Sequence, residues 1–275
     1  MTALHRISHG LAVLAMLACA AALAQPAKEF KPSVGQPGKD VVWVPTSNAL
    51  VNKMLDMAKV TANDFVIDLG SGDGRTVITA AKRGAKAHGI EYNPDMVEIS
   101  KANAAKEGVS DRATFIKADL FESDFTQATV ITMFLLPDIN KRLRPKILNL
   151  KPGTRIVSNS FDMGDWAADE TGTAVSDDGS SYYRTALLWI VPAKVEGTWK
   201  SAAGEIAFRQ TYQMLGGSIS ASGASTLITN GRLNGDEITF TAAGAQYTGR
   251  VKGNSIKGTV TRDGASVAWN AKRAN

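Results

Sequence analysis

At 275 residues, 44% hydrophobic and 21% charged, the chain has the composition of an ordinary soluble globular protein, long enough for one large domain or two modest ones. Its net charge of +5 comes without a dense Lys/Arg block, which reads as a solvated basic surface and argues against nucleic-acid binding. The single cysteine, Cys19, lies in an N-terminal apolar segment, so the remainder can hold no disulfide, thiolate nucleophile or cysteine metal site.

Residues 1–24 carry Arg6, an apolar stretch from Leu11 to Ala22 and a small-residue "ALA" end before Gln25. That is the layout of a cleavable secretory signal peptide, too short for a comfortable membrane span. The expectation is a periplasmic or secreted protein with no stable span after leader removal, or one anchored at the membrane if the leader is retained. "MLAC" around Cys19 is a poor match to a lipoprotein anchor. With His5 and His9 gone, His88 is the sole mature histidine, which argues against a Ser-His-Asp triad or a His-rich zinc site; no metal is expected.

Residues 25–40, with three prolines and two glycines among charges, read as an irregular linker. From 41 to 192, strand-like runs alternate with helical patterns. "ALVNKMLDMAKV" places Leu50, Met54, Leu55 and Met57 on one helical face; "DFVIDLG" is a buried strand; "RTVITAAKRG" is a helix stopped by Gly84. "KAHGIEYN" is a second strand, followed by a helix opened by Pro94 and stopped by Gly108. "ATFIKADLF", "TVITMFLLP" and "TRIVSNSF" supply further strands. This alternation predicts an α/β fold with a parallel sheet covered on both faces. Residues 195–275 differ: they hold twelve of the 25 glycines and alternate with period two between turn signals. "GRLNGDEI" and "GRVKGNSI" look like a repeated hairpin unit, predicting a small antiparallel β meander curled into a barrel or half-barrel.

The chemistry concentrates in "VIDLGSGDGR", residues 66–75. A glycine-rich turn after a buried strand lets backbone approach a ligand, and the next helix N-terminus offers free N–H groups. A dinucleotide loop needs G-x-G-x-x-G, but the last of those positions is Arg75, and the third glycine comes one residue early at Gly74. Asp68 followed by Gly70, Gly72 and Gly74 gives D-x-G-x-G-x-G, the pattern of S-adenosylmethionine (SAM) sites, in which an acidic residue can bind the cationic amino group. Glu91 ends the second strand, 23 positions after Asp68, where a carboxylate can accept from both ribose hydroxyls. Asp119 ends another strand, placed either to accept from an adenine amino group or to cap "LFESDF". Asp73 reads as a turn residue, and His88 as a packed or edge residue of its strand.

These segments, with "LKPGTRIVSNSF", resemble the class I SAM-dependent methyltransferases. "VPTSNALVNKMLDMAKV" and "RIVSNSFDMGDW" narrow the resemblance to the small protein-lysine methyltransferases related to the mitochondrial enzymes acting on the ATP synthase c-subunit and adenine nucleotide translocase. The resemblance covers about residues 41–192 and implies a Rossmann-like seven-strand methyltransferase sheet there; the small β domain read at 195–275 is not part of the mitochondrial enzymes. It implies that Asp68, Gly70, Ser71, Gly72 and Gly74 line the methionine and ribose end of SAM. Glu91 would hold the ribose, Tyr92 and Asn93 lie beside the adenine, and Asp119 and Leu120 meet its edge. Val44, Pro45 and Thr46 match a segment closing over the cofactor near the acceptor channel. Apart from the resemblance, Phe134, Pro137 and Phe161 at strand ends read either as an apolar acceptor channel or as core or lid packing. Phe134, Leu135, Leu136 and Pro137 stand where adenine- or glutamine-directed enzymes carry Asn-Pro-Pro-Tyr, which argues against those acceptors.

The expected activity is SAM-dependent methyl transfer, with a protein lysine amine as the favoured acceptor. The rivals are a methyltransferase of a small molecule or lipid, and an exported methyltransferase-like binding or accessory protein.

Overall fold

The computed structural model describes residues 30–175 and 182–274. The segment read as a signal peptide, and the first part of the stretch read as a linker, lie outside the described residues.

The N-terminal half opens with α1 (Asn48–Met57), capped by Ser47, whose hydroxyl accepts the Leu50 N–H at 3.3 Å. There follow β1 (Phe65–Leu69), α2 (Arg75–Lys82), β2 (Lys86–Glu91), α3 (Pro94–Lys106), β3 (Ala113–Lys117) and β4 (Val130–Met133). The run closes with α4 (Pro137–Ile147), β5 (Arg155–Asn159), β6 (Glu170–Thr173) and β7 (Thr185–Ile190). The seven strands form one sheet in the order β3-β2-β1-β4-β5-β7-β6. The first five pair in parallel, as the alternation predicts, whereas β7 runs antiparallel to both β5 and β6. The parallel expectation therefore holds for β1–β5 and fails at that edge, where the eleven residues 174–184 joining β6 to β7 are fewer than the dozen or more a parallel crossover needs.

Period-two alternation assigns the two faces. Val66, Val130 and Val157 pack with Leu50, Leu55 and Val77 on one side. Ile67, Ile131 and Ile156 pack with Leu143, Ile147, Trp166 and Trp189 on the other. Asp68, two residues beyond Val66, therefore enters the α1/α2 face at the carboxyl end of β1, between Gly89 of β2 and Thr132 of β4. The sheet order changes direction there, which is where open α/β sheets place ligands.

The C-terminal half is antiparallel: β8 (Gly197–Ser201), β9 (Gly204–Thr211), β10 (Met214–Ala221), β11 (Ala224–Leu227), β12 (Thr229–Asn234), β13 (Glu237–Ala242), β14 (Ala245–Lys252), β15 (Ser255–Arg262) and β16 (Ala265–Arg273). β16 pairs with β8 and β9 with β10, so the meander closes into a barrel, with β11 added outside the ring on β10. The repeated hairpin unit is present at Leu233↔Ile238 and Val251↔Ile256. The interior is filled by aromatic rings, Phe240 stacking on Tyr247 at 4.6 Å and meeting Trp269 edge-on at 5.8 Å.

The two sheets are joined by specific contacts. The Trp166 ring stacks on Tyr212 at 5.7 Å, and its indole N–H donates to Gln213 Oε1 at 2.9 Å. Arg232 pairs with Asp169 at 2.6 Å. The hairpin glycine Gly235 has φ +62°, and a Cβ there would come within 2.9 Å of Gly153 Cα, so only glycine permits this approach.

Candidate functional site

The loop after β1 is pinned from several directions. Gly70 and Ser71 N–H both donate to Ile90 O, at 2.9 and 3.1 Å, and Gly74 N–H donates to Ser71 O. The Ser100 hydroxyl and the Asn103 amide of α3 donate to Gly72 O and Asp73 O. Gly70 and Gly72 hold φ +78° and +54°, conformations glycine adopts without strain. The loop residues 70–73 then line a cleft whose lining also includes Asp68 and Ile90.

Glu91 does more than end a strand. Its carboxylate accepts the N–H groups of Gly72 (3.0 Å) and Asn93 (2.9 Å), tying the loop to the start of α3. Asn93 caps that helix, and Tyr92 and Asn93 both line the cleft. Asp68 is buried, accepts the Thr132 hydroxyl at 2.6 Å, and has its carboxyl pushed up to about 7 by burial, with Glu91 and Asp73 adding to the rise. Asp119 and Leu120 line the cleft as well. The Asp119 carboxylate is held below its ordinary range by Lys39, 2.5 Å away, and by the Phe121 N–H. Capping of the following turn by Asp119 is therefore real, and coexists with its position in the cleft.

Gly74 departs from the expectation. It lies off the cleft at φ +82°, and a Cβ there would sit 2.8 Å from the Phe115 ring and 2.9 Å from Ser100 Cβ. It serves close packing of α2 against α3 and β3. His88 is a half-buried residue of the interior strand β2, not an edge residue: its Nδ1 shares a hydrogen bond with Thr114 at 2.8 Å, and burial lowers its pKa.

The stretch expected to be a linker is irregular but not free. Gly35 N–H donates to Trp43 O and Trp43 N–H donates to Gln36 O, closing a compact loop. From Gln36 to Thr46 this strap forms one wall of the cleft, with Val44 and Pro45 among its lining. Trp43 lies on Gly72, where a Cβ would come within 2.5 Å of the indole nitrogen. Lys39, besides pairing with Asp119, sits over the Tyr92 ring at 5.2 Å. Arg75, at the position a dinucleotide loop gives to glycine, pairs with Asp73 and donates to Thr46 O at 2.9 Å.

Of the expected acceptor-side residues, Thr46 and Phe134 line the cleft. Pro137 does not; it opens α4 at its first turn. Phe161 does not line it either, but stacks on Phe134 at 5.9 Å. Buried Asn159, which no sequence motif singles out, donates from Nδ2 to Thr46 Oγ1 at 3.1 Å and accepts the Ser160 hydroxyl at 2.8 Å.

The donor set suits an adenosyl sulfonium ligand. Asp68 is a buried carboxylate whose charge neighbours are the carboxylates Glu91 and Asp73, and Ser71 Oγ is a buried hydroxyl with no hydrogen-bond partner among the described residues. The ANTKMT methyltransferase domain family matches residues 68–170. A protein-lysine N-methyltransferase of Saccharolobus islandicus is 42% identical over 154 residues, 55% of this chain and 94% of that protein. The chain belongs to the SAM-dependent methyltransferases. The ATP synthase c-subunit lysine N-methyltransferase of Rattus norvegicus is 35% identical to this methyltransferase over 47% of the chain and 60% of its own length. A solved Salinibacter ruber protein, described as an RNA methyltransferase in complex with S-adenosyl-L-homocysteine (SAH), is 44% identical, with TM-score 0.51, over 55% of this chain and 96% of its own. The methyltransferase is thus an enzyme with SAM as its cofactor, and the barrel lies outside the residues matched by the domain family.

Proposed function

We propose that this methyltransferase acts on a lysine amine of a protein. The observation that carries the reading is the apolar end of β4. Phe134 walls the cleft and Leu135 is buried beside it, so Phe134-Leu135-Leu136-Pro137 offers no side-chain amide or carboxylate to a base or amide acceptor. An amine needs no such partner, but it must be neutral to attack, and apolar walls favour the neutral form by disfavouring the ammonium. The lysine activity of the Saccharolobus and Rattus relatives supports the same acceptor.

SAM supplies a methyl group on a sulfonium: displacement by an amine lone pair forms the C–N bond, breaks C–S with its electrons going to sulfur, and leaves an ammonium that yields a proton to water. The residues would bind and orient. Asp68 would take the cationic amino group, Glu91 the ribose hydroxyls through its remaining lone pairs, and Asp119 and Leu120 the adenine edge. The Gln36–Thr46 strap would exclude water above them. The leader-like residues 1–24 support an envelope location for this chemistry.

Tritiated SAM incubated with the enzyme and envelope extract tests the reading. Label recovered as methyl-lysine after acid hydrolysis is expected. Label recovered only in RNA, lipid or a small molecule would contradict it.

A further inference from the structure

We infer that a second cavity, beside the cofactor cleft, receives the amine-bearing side chain of the acceptor; this rests on the lysine reading above. The cavity, of about 310 Å³, is lined by Ser160, Thr173, Val175, Tyr183 and Arg184 among others. Two connections join it to the cleft. One is aromatic: Phe134 on the cleft side meets Tyr183 on the cavity side edge-on at 5.0 Å, and Phe161 contacts both, at 5.9 and 6.0 Å. The other is polar, running from Ser160 through buried Asn159 to Thr46 in the cleft wall.

Backbone conformation singles out the same place. Eight non-glycine residues have positive φ among the described residues. Lys59 follows a helix, Tyr212, Ser222, Ala243 and Asp263 sit in hairpin turns, and Asn230 lies at the irregularity in β12, where the local geometry requires it. The other two are Ser160 (φ +61°), directly after β5, and Tyr183 (φ +53°), at the end of the β6–β7 hairpin connection, and both line this cavity. Strain of this kind persists only where surrounding structure enforces it, and it collects at ligand-handling sites.

The chemistry of the lining selects the ligand. Ring faces attract an ammonium and accommodate an alkyl stem. The described lining offers hydroxyls and the Tyr183 ring. The hydroxyls of Ser160 and Thr46 can accept N–H from the amine, while Arg184 suits a backbone carbonyl or an acidic neighbour of the target lysine. A lysine entering past Tyr183 would reach the cleft along Phe134.

The test uses the full chain with poly-L-lysine as probe acceptor, tritium transfer from SAM as the rate, and calorimetric SAH affinity as the control. Tyr183→Ala should raise KM for poly-L-lysine by about tenfold with SAH affinity unchanged, a loss of the size expected for a cation–ring contact. Tyr183→Phe should behave as wild type, because the ring and not the hydroxyl is required. If Tyr183→Ala also loses SAH affinity, Tyr183→Leu replaces it under the same criteria. Wild-type KM in the ring-less variant would overturn the cavity assignment and leave the lysine reading standing. A wild-type enzyme that binds SAH but transfers nothing to poly-L-lysine would overturn the lysine reading, and this inference with it.

Discussion

Asp68 is a buried carboxyl in the lining of the cleft. Burial raises its carboxyl to about 7; the Thr132 hydroxyl opposes the rise, and the Glu91 and Asp73 charges reinforce it. Only the ionised form can take an ammonium, so binding expels a proton at low pH. SAH affinity should rise about tenfold per pH unit below about pH 7 and level off above it, measured by calorimetry. A flat profile would contradict the assignment. Asp68→Asn should flatten the profile and weaken SAH by about 30-fold, the order expected for a lost charged hydrogen bond. The folded carboxyl lies above its ordinary value of 3.8, so the native state holds an extra proton between the two values. Without ligand, stability should therefore fall as pH rises from about 4 to about 7, by up to about 4 kcal/mol, read by denaturant unfolding. The places of Asp68, Gly70, Gly72 and Glu91 around the cleft are legible in the sequence because they follow from local spacing along one strand–loop–helix unit and the next strand. Gly74 looks like one more loop glycine, because its packing role depends on Phe115 and Ser100 of other elements. The partner of Asp119, Lys39, lies 80 positions earlier, beyond any local pattern.

At the scale of elements, two glycines separate backbone strain from crowding. Gly74 and Gly108 both hold a left-handed φ, but a Cβ at Gly74 would strike Phe115 and Ser100, whereas nothing lies within 4 Å at Gly108. Gly108→Ala should cost about 1 kcal/mol from conformation alone, and Gly74→Ala about 2–4 kcal/mol, because packing of α2 against β3 must also yield. Equal losses in thermal unfolding would show that Gly74 is not a packing glycine. Periodicity locates α1, α2, α3 and the first five strands, since apolar spacing is local. It gives no sign of the strap, whose hold on the cleft comes from single side chains, Trp43 on Gly72 and Lys39 on Asp119, within a stretch composed like a linker. The reversal of β7 is also hidden, because a buried strand reads the same in either direction.

The whole molecule couples its sheets through a small set of contacts around Trp166. Gln213 satisfies the buried indole N–H and returns its own amide to Ala167 O at 2.8 Å. Gln213→Leu should leave both groups unpaired and cost about 2 kcal/mol, lowering Tm by about 5 °C. Separate melting of the two halves in the wild type would contradict this coupling, and a single calorimetric transition is expected. The barrel is legible as a meander from its alternation and hairpin glycines, but its closure through β8–β16 and its seat on Trp166 follow from long-range pairing that no local pattern encodes. The position of the cofactor governs every functional statement above, and the structure of the chain with SAH bound tests it most directly. The amino group should lie on Asp68, the ribose on Glu91 and the adenine beside Asp119, with Trp43 still covering the glycine loop. SAH found outside this cleft, or with these three carboxylates turned away from it, would contradict that placement.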